Sequence, residues 1–169
     1  MTILFPSLGS DQLRPYEAPF GRMMLAYGRA IAATIALVAI RTETEAKAVE
    51  FVADAGTKEL PKRIRRMFRS ALNDEQFTKL DASMTKLKTL ADKRHHIIHG
   101  EWWFNVFENG QLAIRAVRQG KIKHISTVSA HDLGQWALEL DDIADVLDDI
   151  ELCCSRLKQQ ARDDPPPAK

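Results

Sequence analysis

Asn73–Gly100, NDEQFTKLDASMTKLKTLADKRHHIIHG, is the stretch whose reading decides the fold. Phe77, Leu80, Met84, Leu87, Ala91 and Ile98 step by threes and fours, which predicts the apolar stripe of a core-facing helix. Asn73 with Gln76 caps its start, and Gly100 suits the position just past its end. Position 94 falls inside the stripe, where Leu is expected and Arg is found. A helix turns about 100° per residue, so Arg94 and His99 lie roughly 140° apart on the wheel. His95 falls on one rim of the stripe, His99 just past that rim, and His96 on the opposite side. The pattern suggests a cleft between helices, lined by one fixed cation and two groups that titrate near neutral pH. Plainer readings also account for it. An arginine can snorkel from a stripe or pair with a buried carboxylate, and cations in a last turn complement the helix dipole.

Working outward, 1–19 holds three prolines and Gly9 and reads as an N-terminal arm. A strongly apolar helix is predicted over 20–41. Thr42 with Glu45 makes a capping-box pattern for a second helix that Gly56 ends. Pro61 suits the first turn of a short third helix reaching about Ala71. Beyond His99 the period changes from helical to two. Trp102, Phe104 and Val106 alternate with Trp103, Asn105 and Phe107. Asn109-Gly110 is a strong hairpin turn signal, and Gln119-Gly120 is a second turn, so 101–128 is expected as a three-stranded antiparallel meander. Ser129 with Asp132 caps a last helix with apolar residues from Leu133 to Leu157 at three-four spacing. Residues 163–169, with three consecutive prolines, read as a disordered tail. The whole is one mainly α domain over 20–162.

Composition bounds function. A chain of 169 residues buries roughly two thirds of its unfolded surface. Hydrophobic content of 45% and charged content of 28% are ordinary for a soluble globular protein, and a net charge of +1 gives no global attraction to nucleic acid. Cys153 and Cys154 are adjacent on a helix and point apart, so they are not expected to pair. Free thiols fit a reducing cytoplasm. Met1–Gly9 lacks a basic segment, and the apolar run Ala30–Ile40 is too short to span a bilayer, so no membrane is expected.

Other clusters carry chemistry in outline. Lys58, Lys62, Arg63, Arg65, Arg66 and Arg69 crowd twelve residues and would suit an RNA backbone. Their plainer use is pairing with the seven carboxylates between Glu139 and Glu151. Within that run Asp141, Asp145 and Asp148 share a face, which a metal would need, but a solvated face is the simpler reading. His95 and His99 have the spacing of two zinc ligands on one helix, yet no H-E-x-x-H or cysteine pair supplies a third, so no metal or cofactor is expected. No phosphate-binding glycine loop and no serine elbow is found. Trp102 and Trp103 alternate sides, so one faces the core and the other faces out, where it could stack on a base, though packing in the hairpin or a dimer is its plainer use.

The run A-D-K-R-H-H-I-I-H-G-E-W at 91–102 resembles the signature of the HEPN superfamily, an R-x(4–6)-H motif whose arginine is followed by a polar residue. In that resemblance Arg94 is the motif arginine, His95 the polar follower and His99 the motif histidine. The helical parts fit such a bundle, and the insert at 101–128 lies beyond its smallest members. The resemblance implies a homodimer whose two motifs face each other across one cleft, and a metal-independent endoribonuclease of toxin or defence type. There His99 would move the proton of the RNA 2′-hydroxyl, Arg94 would hold phosphate oxygens, and His95 would orient Arg94 or share the proton transfer. Lys62, Arg63, Arg65, Arg66 and Arg69 would be the RNA contacts. The alternative is a HEPN-like dimeric module that cuts nothing and binds a nucleotide or an unidentified protein partner.

Overall fold

The computed structural model describes residues 10–42, 44–99, 101–104, 112–118 and 121–163, with the backbone alone up to 126 in the strands. The chain is mainly helical. Helix α1 spans Ser10–Ala39, α2 Glu45–Phe68, α3 Asp74–His99 and α4 Ala130–Asp163. Three short strands, β1 Glu101–Phe104, β2 Leu112–Arg118 and β3 Lys121–Val128, lie between α3 and α4. They are antiparallel in the order β1-β2-β3, with Trp102 opposite Ile114 and Ile114 opposite Ser126, and an irregularity at Ala116/Val117. The turn residues Asn109-Gly110 and Gln119-Gly120 lie outside the described residues.

The helices form a bundle in which α1 packs chiefly on α4, α4 on α3, α3 on α2 and α2 on α1. Helices α1 and α3 therefore stand across the diagonal. Met23, Ala30, Leu37 and Val38 of α1 meet Leu133, Leu140, Ile143, Leu147 and Ile150 of α4 in the core. Leu80, Met84 and Leu87 of α3 and Ile64 and Phe68 of α2 complete it. Burying an aliphatic or aromatic side chain contributes about 1.5–3 kcal/mol, so this shared core rather than local propensity holds the helices together. By length and composition Leu13–Ala39 would also serve as a membrane span. Met23, Ala26, Ala30, Ala33, Leu37 and Val38 of this helix lie in the bundle interior, while Leu25 is 79% exposed.

The arm expected over 1–19 is corrected by α1, which is helical from Ser10 with Pro15 and Pro19 inside it. Each proline removes one backbone bond. Tyr16, only 8% exposed, extends the buried stripe backward through Leu13, and that burial outweighs the two missing bonds. Residues 1–9, and the expected tail beyond Asp163, lie outside the described residues. The cap of α2 is Thr44, not Thr42: its hydroxyl accepts from the Lys47 amide at 3.2 Å, while the Thr42 hydroxyl turns to backbone carbonyls. Gly56 breaks α2 as expected, with φ 56° and ψ 171°, a conformation that favours glycine. The helix resumes directly after this kink, so Pro61 lies inside the second half rather than at its start.

The other two expected caps are formed. The Gln76 amide donates to Asn73 Oδ1 at 2.8 Å. Asp132 accepts from the Ser129 amide at 2.8 Å and hydroxyl at 2.6 Å, and its own amide donates to Ser129 Oγ at 3.1 Å. The Ser129 donors hold the Asp132 carboxyl below its usual range.

Candidate functional site

The site is built at the last two turns of α3. Leu80, Ser83, Met84, Leu87, Leu90, Ala91 and Ile97 are its buried residues, and Arg94 lies in the middle of that arc. The expected continuation of the stripe through Ile98 is shifted: Ile97 is 2% exposed and Ile98 only partly covered. Helix α4 closes over the Ile97 side, as Lys93 shows by resting 4.5 Å from the Trp136 ring centre, whereas Ile98 turns to a cavity. That cavity, ≈ 420 Å³, is lined among the described residues by Leu13, Tyr16, Glu17 and Phe20 of α1 and by Ile97 and Ile98.

Arg94 neither snorkels freely nor pairs with a carboxylate among the described residues. Its guanidinium carbon lies 5.1 Å from the centre of the Tyr27 ring, across the bundle diagonal. Its Nε is sealed from solvent with no hydrogen-bond partner. A buried donor left unmade costs about 1–3 kcal/mol, so local stability does not account for this arginine. Burial pushes the Tyr27 phenol above its ordinary value of 10.0, and the Arg94 charge offsets part of that rise.

The structure brings His95 and His99 together, with ring centres 4.6 Å apart, and places His96 6.0 Å from His95. All three are exposed. On the wheel of α3, Arg94 lies about 100° from His95 and about 140° from His99. Asp81 and His99 are eighteen residues apart, five helical turns, so they share one line along α3. Arg65 of α2 bonds Asp81 and donates to Thr85 Oγ1 at 2.7 Å. The histidine pair thus lies on the face of α3 that α2 packs against, and Arg94 lies on the face toward α1. No group of three His, Cys, Asp or Glu positioned to hold a metal occurs among the described residues.

The basic cluster of α2 is partly occupied. Arg65 is held by Asp81 and Thr85. Arg69 lies 4.4 Å from the Phe77 ring centre, Arg63 5.8 Å from that of Phe51, and Lys62 4.0 Å from Glu59. Arg66 is exposed. The expected pairing of this cluster with the acidic face of α4 is not what forms. Arg29 of α1 meets that face instead, bonding Asp145 and lying 3.4 Å from Asp141 and 3.7 Å from Asp148. The three aspartates that share a face are therefore gathered around a guanidinium, and Asp145 first, then Asp141, hold the Arg29 pKa above its ordinary value.

Sequence reasoning missed Tyr27 and Arg29. Tyr27 had a signal, being a polar-tipped ring seven residues beyond Phe20 on the α1 stripe. Arg29 had none beyond its charge. His124, Trp102 and Trp103 have side chains outside the described residues. Compared with family models, characterised proteins and solved structures, the chain matches none.

Proposed function

We propose that the chain is a HEPN-like helical domain, with its β-meander inserted after the motif helix, that acts as a metal-independent endoribonuclease in a reducing cytoplasm. The observation that carries this reading is Arg94: a guanidinium on the core stripe, with a buried unpaired Nε and no carboxylate partner among the described residues, on the same last turns of α3 as an exposed histidine pair that faces another way. A fold that needed only packing would put Leu there. A site that must hold a phosphate needs a fork of donors with its charge uncompensated. His99 takes the proton of the RNA 2′-hydroxyl, and His95, in ring contact with it, shares the transfer. Because Arg94 and His99 look in directions roughly 140° apart, one chain does not supply both to one phosphate. The reading therefore includes a homodimer in which Arg94 of one copy approaches the histidines of the other. The exposed α2 cations, Lys62, Arg63, Arg66 and Arg69, extend the RNA contact.

The test is cleavage of single-stranded RNA in EDTA, yielding 2′,3′-cyclic phosphate ends. His99→Ala removes about a hundredfold of the rate or more, while His96→Ala changes little. Co-expressed Arg94→Ala and His99→Ala chains regain activity in the mixed dimer. The separation of Arg94 from the histidines within one chain also favours a second reading: a HEPN-like dimeric module that binds a nucleotide or protein partner without cutting. Wild-type protein that leaves a broad panel of RNAs whole selects that alternative.

A further inference from the structure

Helix α1 brings a second donor to Arg94. The Tyr27 ring lies 5.1 Å from the guanidinium carbon. Only Nε of Arg94 is both buried and unpaired. Its terminal nitrogens and the Tyr27 hydroxyl are not sealed in, and none has a hydrogen-bond partner among the described residues. Two neighbouring groups therefore carry unused donors, in half-buried surroundings where their pull on an anion is stronger than in open water. A phenol whose pKa burial raises above 10.0 carries its proton at neutral pH and has it to donate. Glu17, the carboxylate among the residues lining the cavity at Ile98, is two to three turns back along α1, and no carboxylate is paired with Arg94 among the described residues.

We infer that Tyr27 is a binding residue: its hydroxyl and the Arg94 fork together form one oxyanion site that takes a phosphate group. A carboxylate that meets the fork with both oxygens keeps only the lone pairs turned away from it. A phosphate has a further oxygen to accept from the phenol. The ring also steadies the guanidinium from beneath by cation–π attraction, so Tyr27 acts twice, as a donor and as a support. The naming of RNA as the source of that phosphate rests on the nuclease reading. The oxyanion site itself does not.

The experiment uses the full chain carrying ¹³C at the hydroxyl-bearing ring carbon of tyrosine. The chain has 2 tyrosines, Tyr16 and Tyr27, so Tyr27→Phe assigns both signals. The probes are inorganic phosphate and a 2′-O-methylated oligonucleotide, which has no attacking hydroxyl. Both are expected to move the Tyr27 signal, leave that of Tyr16 in place, and lose their effect in Arg94→Gln. Tyr27→Phe keeps the ring and loses the donor, and should weaken both probes about tenfold. Tyr27→Leu loses ring and donor and should weaken them further. Phosphate binding with a silent oligonucleotide upholds the site and removes RNA as its ligand. A Tyr27 signal unmoved by a bound probe, no binding of either probe, or wild-type affinity in Tyr27→Phe overturns the inference. RNA cleavage that survives those outcomes leaves the nuclease reading standing without this site.

Discussion

Arg29 and Arg94 are both arginines set where helices of one bundle meet, and they are treated in opposite ways. Arg29, on α1, faces Asp141, Asp145 and Asp148 of α4 and has more negative charge around it than it needs. Arg94, on α3, faces an aromatic ring, has an unpaired Nε, and meets no carboxylate among the described residues. The first is a guanidinium whose partners explain it within the fold. The second has no such partner among the described residues, and under the proposed function its open donors hold a phosphate. A count of arginines would not separate them; asking which charges are matched does.

The largest expected effect breaks or keeps that distinction directly. Arg94→Ala should lower RNA cleavage by roughly a hundredfold or more, the scale of an oxyanion-stabilising group. Arg29→Ala, at equal folded fraction, should cut at close to the wild-type rate. Equal losses in the two variants would erase the difference between a structural and a functional cation.

A smaller effect lies in stability. Arg94→Met keeps the apolar stem and removes the orphaned donor, so urea unfolding should show a gain of about 1 kcal/mol. Arg29→Met should instead lower the melting temperature slightly at low salt, and the deficit should vanish near molar salt, because an exposed ion pair is screened. A clear loss of stability in Arg94→Met would return Arg94 to the packing of the bundle.

The smallest effect is alkaline. The folded-state pKa of Tyr27 is raised above its ordinary 10.0, mainly by burial. The unfolded chain therefore gives up this proton first, and the stability present below pH 10 declines as pH rises through that value toward the folded one. Removing the Arg94 charge removes the cause that lowers this pKa, so the decline should steepen in Arg94→Met and be reduced in Tyr27→Phe. Melting temperatures between pH 9 and 11 that run parallel in all three proteins would show that the two side chains do not sense each other.

What was legible in advance was local. The caps of α3 and α4 depend on residues three apart, Asn73 with Gln76 and Ser129 with Asp132, and they close where the spacing says. The stripe of α4 is buried through Leu133, Leu140, Leu147 and Ile150 for the same reason: periodicity is carried by the chain itself. The reading failed where a distant surface voted. Pro15 and Pro19 argued for an arm, yet Tyr16 finds a buried place in the bundle. The acidic run of α4 was matched to the nearest dense block of cations in α2, yet α1, not α2, lies alongside it.

The sequence by itself determined the mainly helical class, the Gly56 break, and the singling out of Arg94, His95 and His99, because each follows from short-range spacing or from one residue out of keeping with its stripe. Only the tertiary structure decided that Tyr27 stands by Arg94 across the diagonal and that Arg29 takes the aspartates. Those outcomes depend on which helix faces which, and that is set by how the whole set of apolar stripes closes on a single core, a property no single stretch of the chain contains.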